Sequence, residues 1–284
     1  GAILPQLLEK EYYTLGKAAN YSVSRISGLV GYMLAGGVIA LIGAVGALWI
    51  DAATFLISSA IIWSIRYKEN LQGAKQTVKG VIQDFAEGFR FIRASRTIQT
   101  VSLIGLLINF GIMPLTVFQT PYVSDYLKMG PETLSYIKIL TSVGMITGSA
   151  LLPKLGKIKT PVIAVAAGVI MGAALIEMSI AQSLSTPVLK MGILTLSMLS
   201  IGFGGGLLNV VIGSSVMKAV PKEMMGRISG FLTAMMQASM PVASFICSAL
   251  AVYFPIPHIL VFFGSMTLIC SLALYFRKKL DALS

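Results

Sequence analysis

The 284-residue chain is too poor in charge to be a water-soluble globular domain, because 56% of its residues are hydrophobic and only 12% are charged. Soluble domains typically carry about 25% charged residues. The net charge of +11 does not indicate nucleic-acid binding, since the basic residues lie in connections between apolar runs. Composition therefore predicts an integral membrane protein embedded in a lipid bilayer.

Eight apolar runs are long enough to cross a bilayer as helices, for which about 20 residues are needed. They are apolar throughout, whereas strands of a membrane barrel would alternate polar and apolar residues. The fold class is therefore predicted to be all-α, a polytopic helical bundle. A tight helical hairpin is expected at Gly43 and Ala44. The predicted spans are 21–43, 45–66, 99–123, 134–153, 160–182, 188–213, 226–252 and 256–276.

The basic residues predict the orientation in the membrane. An even number of spans places both ends of this chain on the same side. With both ends in the cytoplasm, all but three of the 22 Lys and Arg residues lie on the cytoplasmic side, as the positive-inside rule requires. The three outer ones are Lys128, Lys138 and Lys190. We therefore expect a multi-pass protein of the cell (inner) membrane.

Residues 67–98 form the one long polar segment, and apolar side chains such as Phe85, Phe89 and Ile92 recur in it at helical spacing. This pattern predicts an amphipathic helix at the inner membrane surface. It divides the chain into the end of an N-terminal bundle with two membrane helices (1–66), a cytoplasmic linker (67–98) and a C-terminal six-helix bundle (99–284).

The chain also contains signs of two related halves. Segments 10–17 and 222–227 each contain Lys-Glu followed by a glycine and a basic residue, and each precedes a helix rich in small residues. Many transporters consist of two related halves. If these halves are equivalent, four helices precede Gly1. The expected whole is a twelve-helix protein, of which this chain supplies two helices of the first half and six of the second.

Several local patterns resemble the major facilitator superfamily from its fifth helix to its twelfth. Residues 31–37 resemble the glycine-rich antiporter motif of the fifth helix, although Tyr32 replaces the usual proline. Residues 51–60 resemble the sixth helix of the macrolide-efflux-like and siderophore-exporter-like branch. Residues 221–227, followed by Pro241, resemble the loop and eleventh helix of that branch.

The resemblance implies a secondary active transporter that exports drugs or other small amphipathic molecules by alternating access, driven by protons and monomeric when full length. Gly31, Gly36, Arg227 and Pro241 are then candidates for gating or helix packing. For Arg227, an inside-positive anchor is the alternative. A non-transporting membrane scaffold or assembly subunit is the alternative for the whole protein.

Ionisable groups inside a membrane are costly and are functional candidates by default. Asp51 and Glu177 lie well within predicted spans, and either carboxyl group could couple proton entry to export. Alternatively, Asp51 hydrogen-bonds near the outer interface and Glu177 reaches the outer headgroups.

Three amides at membrane depth, Asn109, Asn209 and Gln237, are candidates for lining a substrate cavity. Hydrogen bonds between helices are an equally good explanation. The pairs Gly144/Gly148 and Gly168/Gly172 have the small-xxx-small spacing that lets helices touch.

Signals for enzymatic chemistry are absent from the sequence. There is no phosphate-binding loop, and His258 is the single histidine. Cys247 and Cys270 fall within apolar runs and have no metal-ligand or redox spacing. We therefore expect no enzyme activity, no cofactor and no metal site, and no nucleic-acid partner.

Overall fold

The computed structural model describes residues 9–64, 88–130, 132–155 and 160–276. Within these ranges the chain is helical apart from turns and short connections, and the all-α prediction is confirmed. The chain divides into two compact units, Gly1–Arg25 with Asp84–Ser284 and Ile26–Gln83. The domain boundaries expected from the sequence, at residues 66 and 98, stay predictions.

The first long helix, α1, is interrupted where the sequence places the boundary between the first two spans. It covers Tyr13–Ser64 and follows a 3-10 turn at Lys10–Tyr12. Gly43 has φ 71° and ψ 173°, outside the helical region, and glycine reaches positive φ without steric cost. The stretch after Gly43 continues as helix to Ser64 and contains the apolar run Val45–Ile61.

Six helical segments in the described residues are long and apolar enough to cross a membrane, and they coincide with the last six predicted spans. The first of them contains three elements, because the α-helix is interrupted just before Pro114 and becomes π-helical after Pro121. The three elements of this first segment are α2 Arg96–Gly111, α3 Met113–Pro121 and the π-helical turn Tyr122–Leu127. The other five segments contain α4 Glu132–Leu151, α5 Thr160–Ile180, α6 Pro187–Ala219, α7 Met225–Ala251 and α8 Ile256–Phe276.

Local sequence explains where several of these helices begin. The hydroxyl oxygen of Ser95 accepts a hydrogen bond from the Ile98 amide at 3.4 Å and caps α2. Pro114 and Pro187 occupy the first turns of α3 and α6, where a missing N–H costs little. Helix α6 then continues without interruption through Gly204, Gly205 and Gly206.

Two polar contacts lie at one end of the bundle. Lys190 Nζ donates a hydrogen bond to the Leu127 carbonyl at 3.3 Å, and the Ile256 amide donates one to the Tyr126 hydroxyl at 3.3 Å. These contacts bring the start of α6 and the start of α8 to the end of α3. We name this side the Lys190 end, and the opposite side, where α2 and α7 begin and α6 finishes, the Arg96 end.

Glycines set the closest helix contacts. A Cβ atom on Gly148 would meet the backbone of Phe203, one on Gly202 would meet the backbone of Thr141, and one on Gly206 would meet the backbone of Met145. Helices α4 and α6 therefore touch backbone to backbone, as small-xxx-small pairs allow in membranes. Gly172 and Gly264 make an equivalent contact between α5 and α8.

Only the end of the predicted amphipathic linker lies in the described residues. Residues 88–94 are helical, with Ile92 buried and Phe89 exposed. A Cβ atom on Gly88 would lie 3.3 Å from the Phe231 ring on α7, so the segment is closely packed on that helix. Ile92 joins a small apolar cluster at the Arg96 end that includes Ile98 and Ile228.

Candidate functional site

A cavity of about 500 Å³ lies among the start of α1 and helices α2, α6 and α7. It is adjacent to the Arg96 end, because it contains the last turns of α6 and the first turns of α7. It also reaches Asn109, which is near the middle of the span Arg96–Leu127. Its lining consists of Lys17, Asn20, Gly105, Ile108, Asn109, Gly205, Leu208, Asn209, Ile212, Gly213, Val216, Met217, Met225, Ser229, Leu232, Thr233 and Met236.

Most of the cavity wall is apolar. Ile108 comes from α2, Leu208 and Ile212 come from α6, and Leu232 and Met236 come from α7. Small-molecule sites are typically concave and mostly apolar, with a few placed polar groups that fix orientation. The wall suits the hydrocarbon or aromatic part of an amphipathic compound.

The polar groups in the wall include two of the three predicted amides. Asn109 Nδ2 donates a hydrogen bond to the Met236 carbonyl at 3.2 Å, so this side chain both lines the cavity and connects α2 to α7. Asn209 on α6 is exposed and lines the cavity as well. Ser229 and Thr233 lie one turn apart on α7 and add hydroxyl groups.

Sequence reasoning missed Lys17, which is the single charged residue among the described residues that line the cavity. Counting basic residues assigned it to the cytoplasmic surface. Its spacing to Asn20 carried a signal, because residues i and i+3 of a helix share a face. Lys17 precedes the predicted first span and lies outside the six spanning helices, and burial lowers the pKa of its ammonium group.

Hydrogen bonds to α4 hold the beginning of α1 in position. The Tyr21 hydroxyl donates to Met145 Sδ at 3.5 Å, and the hydroxyls of Ser22 and Ser149 are 2.8 Å apart. The Arg25 guanidinium carbon lies 4.9 Å from the centre of the Tyr21 ring. Because Lys17 and Asn20 lie within about a turn of Tyr21, these contacts also fix how they face the cavity.

The other ionisable and amide candidates are not among the described lining residues. Asp51 is exposed on α1, in the unit Ile26–Gln83. Glu177 is half-buried near the end of α5, at the Lys190 end of the bundle. Gln237 is exposed on α7 next to Met236. Their proposed roles in coupling and substrate contact stay predictions.

The gating and packing candidates also have defined positions. Gly31 is exposed on α1, and a Cβ atom there would meet nothing within 4 Å. Gly36 lies on the same helix, and its surroundings lie outside the described part of the chain. Arg227 is exposed in the first turn of α7, and Pro241 is exposed in its interior.

No group of three or more His, Cys, Asp or Glu side chains that could hold a metal ion occurs in the parts of the chain that the structure describes. Cys247 is buried, Cys270 is half-buried, and both are free thiols.

Comparisons with known proteins agree with this architecture. Residues 1–244 match the family model of the Major Facilitator Superfamily. The uncharacterized MFS-type transporter YvqJ of Bacillus subtilis (strain 168) is 23% identical over 175 residues, which are 60% of this chain and 42% of that protein.

Solved structures of a bacterial homologue of the iron transporter ferroportin are also similar. In the outward-facing state, the TM-score is 0.60 at 14% identity, over 96% of this chain and 64% of the homologue. In the same state with soaked iron, the TM-score is 0.61 at 14% identity, over 97% and 66%. At this identity the likeness concerns the fold. The chain spans less than two thirds of each of these relatives.

Proposed function

The chain belongs to the major facilitator superfamily, and from this premise we propose that it forms the substrate pathway of a secondary active exporter of small amphipathic molecules. The superfamily match and the structural relatives identify membrane transporters, which are not enzymes. The chain is accordingly a multi-pass membrane protein whose environment is the lipid bilayer and whose cargo is a small molecule.

The cavity among α1, α2, α6 and α7 is the observation that carries this proposal. It combines an apolar wall with amide and hydroxyl groups, and it extends from one end of the bundle to about its middle. In alternating access, two helical bundles rock around a site near the membrane midplane. In our proposal the cytoplasmic half of that pathway is this cavity, because the positive-inside rule assigns the Arg96 end to the cytoplasm.

The finer assignments belong to the same proposal. We place the protein in the macrolide-efflux-like and siderophore-exporter-like branch, in the inner membrane, with both ends of this chain cytoplasmic and the whole protein monomeric. Gly31, Gly36, Arg227 and Pro241 serve gating or packing in this scheme. Four helices before residue 1 stay a prediction, which the upstream coding sequence tests.

A transport assay on the full-length protein tests the pathway. The purified protein is reconstituted in liposomes, a proton gradient is imposed, and movement of a panel of amphipathic dyes is recorded. We expect Asn209→Leu to raise the half-saturating dye concentration about two- to tenfold, because a hydrogen bond to the substrate is lost. Thr147→Val is the matched control, since Thr147 is exposed on α4 and bonds to its own helix.

Two outcomes would contradict the proposal. If the wild-type protein moves no dye in either direction of the gradient, the scaffold or assembly-subunit alternative is favoured. If Asn209→Leu and Thr147→Val have the same small effect, transport takes place elsewhere than in this cavity.

Proton coupling is tested separately in the same liposomes. Asp51→Asn and Glu177→Gln remove one titratable group each with little change in size. We expect at least one of them to reduce transport driven by the proton gradient while leaving downhill dye movement intact. Wild-type rates in both variants would exclude these two carboxyl groups from coupling.

A further inference from the structure

The described part of the cavity wall carries charge of one sign only. Among the described residues that line it there is one ammonium group, Lys17, and there is no carboxylate. Amides of Asn20, Asn109 and Asn209 and the hydroxyl of Ser229 supply further hydrogen-bond donors. The Thr233 hydroxyl donates its proton to the Ser229 carbonyl at 2.8 Å and can only accept from a ligand. A ligand in this cavity therefore meets one positive charge and several donors, together with an extended apolar surface.

Gly213 of α6 allows the Lys17 side chain to lie in the cavity. A Cβ atom on Gly213 would lie only 2.9 Å from both Cγ and Cδ of Lys17, and it would also meet Cε. The aliphatic stem of Lys17 therefore runs across the bare backbone of α6. This contact fixes the direction of the stem, which would otherwise be free to turn toward water as lysine side chains at membrane surfaces do.

Burial of the Lys17 ammonium group is unfavourable in free energy. Removing a cation from water without a nearby anion is unfavourable, and its lowered pKa is caused by burial. A bound anionic group would supply the missing charge and form charge-assisted hydrogen bonds, which are stronger than neutral ones. A cationic ligand would meet repulsion from Lys17 with no carboxylate in the described lining to offset it.

We propose that the cavity selects amphipathic anions, with Lys17 binding a carboxylate, sulfonate or phosphate group and the apolar wall holding the rest of the molecule. This inference rests on the proposed transport function and names its substrate class. Lys17 is a specificity-determining residue in this scheme, and Gly213 positions its side chain.

Two dyes with the same ring system and opposite charge test the proposal. The full-length protein in liposomes is offered fluorescein, an anion, or rhodamine 6G, a cation, and protein-free liposomes give the background. We expect faster transport of fluorescein than of rhodamine 6G. Lys17→Gln should lower fluorescein transport about tenfold or more without lowering rhodamine 6G transport, and Lys17→Arg should retain most of the fluorescein rate.

Glycine variants give a test that leaves the charge in place. Gly213→Ala should displace the Lys17 stem and lower fluorescein transport several-fold. The fold is preserved because the atoms that must move belong to the flexible Lys17 side chain and not to a backbone. Gly230→Ala is the matched control, since a Cβ atom there meets nothing within 4 Å. Gel filtration confirms that each variant is folded.

The outcomes separate the anion preference from the transport function. Transport of rhodamine 6G at least as fast as fluorescein, or an unchanged fluorescein rate in Lys17→Gln, would overturn the anion preference and leave the transport function standing. Failure of the wild-type protein to move either dye would overturn both.

Discussion

Two faces of helix α6 use the same residue type for opposite purposes. On one face Gly202 and Gly206 bring the backbone of α4 into direct contact. On another face Gly205, Asn209 and Gly213 line the cavity, where space is left open. Residues four apart share a face of a helix, so the two series stay separate along α6. Glycines therefore permit close helix contact on one face of α6 and leave space for the cavity on the other.

The largest effect on stability should come from an alanine substitution on the face that contacts α4, and the neighbouring glycine on the cavity face provides the comparison. A Cβ atom on Gly206 would collide with the backbone of Met145, so Gly206→Ala should destabilise the protein by about 1–3 kcal/mol. Gly205→Ala places its Cβ 3.6 Å from Met145 Cε, an ordinary contact, and should be nearly neutral. Thermal unfolding in detergent measures both, and equal melting temperatures for the two variants would remove the distinction between the faces.

The two cavity asparagines should differ in a smaller but informative way. Asn109→Leu removes the hydrogen bond to the Met236 carbonyl and should lower both stability, by about 1 kcal/mol, and transport. Asn209→Leu should lower transport with an unchanged melting temperature. Parallel unfolding and dye-transport curves distinguish the two variants. A stability loss confined to Asn209→Leu would reverse the roles of the two amides.

The smallest effect is expected for a hydroxyl on the close-packed face. Thr141 Oγ1 donates to the Ile137 carbonyl of its own helix at 2.8 Å, and its contact with Met198 Sδ across the interface is 3.7 Å. Thr141→Val should therefore change stability by about 0.5 kcal/mol or less, as thermal unfolding in detergent measures. A loss comparable to that of Gly206→Ala would show that hydrogen bonding, and not close backbone approach, holds α4 to α6.

The positions of the helices could be predicted from the sequence, because bilayer thickness fixes span length and because prolines mark starts such as Pro187. The packing of α4 could be anticipated as well, since Gly144 and Gly148 have the spacing of a contact pair. These features depend on short stretches of chain, which one sequence contains in full. Gly43 follows the same logic, because a break between two apolar runs is a local property.

The rotation of each helix about its axis could not be predicted, and the site depends on that rotation. The polar side chains of helix α6 are spread around it and do not form one face, so the sequence pattern does not indicate which side meets a neighbour. For that reason Asn209 and Gln237 are equally good cavity candidates in the sequence, although of these two only Asn209 is in the described lining. Lys17 was missed for a related reason. Its role depends on the bare backbone of Gly213, nearly two hundred residues away.

Accessibility of Asn209 tests the central claim, that the Asn209 face of α6 lines a substrate pathway. In the full-length protein with Cys247→Ser and Cys270→Ser, Asn209→Cys and Val210→Cys are treated with a water-soluble maleimide. Val210 is fully buried on α6, beside the cavity residue. We predict that Asn209→Cys reacts much faster than Val210→Cys and that whichever of fluorescein and rhodamine 6G is transported faster slows only that reaction. Equal rates for the two variants, or no protection by the dye, would contradict the claim.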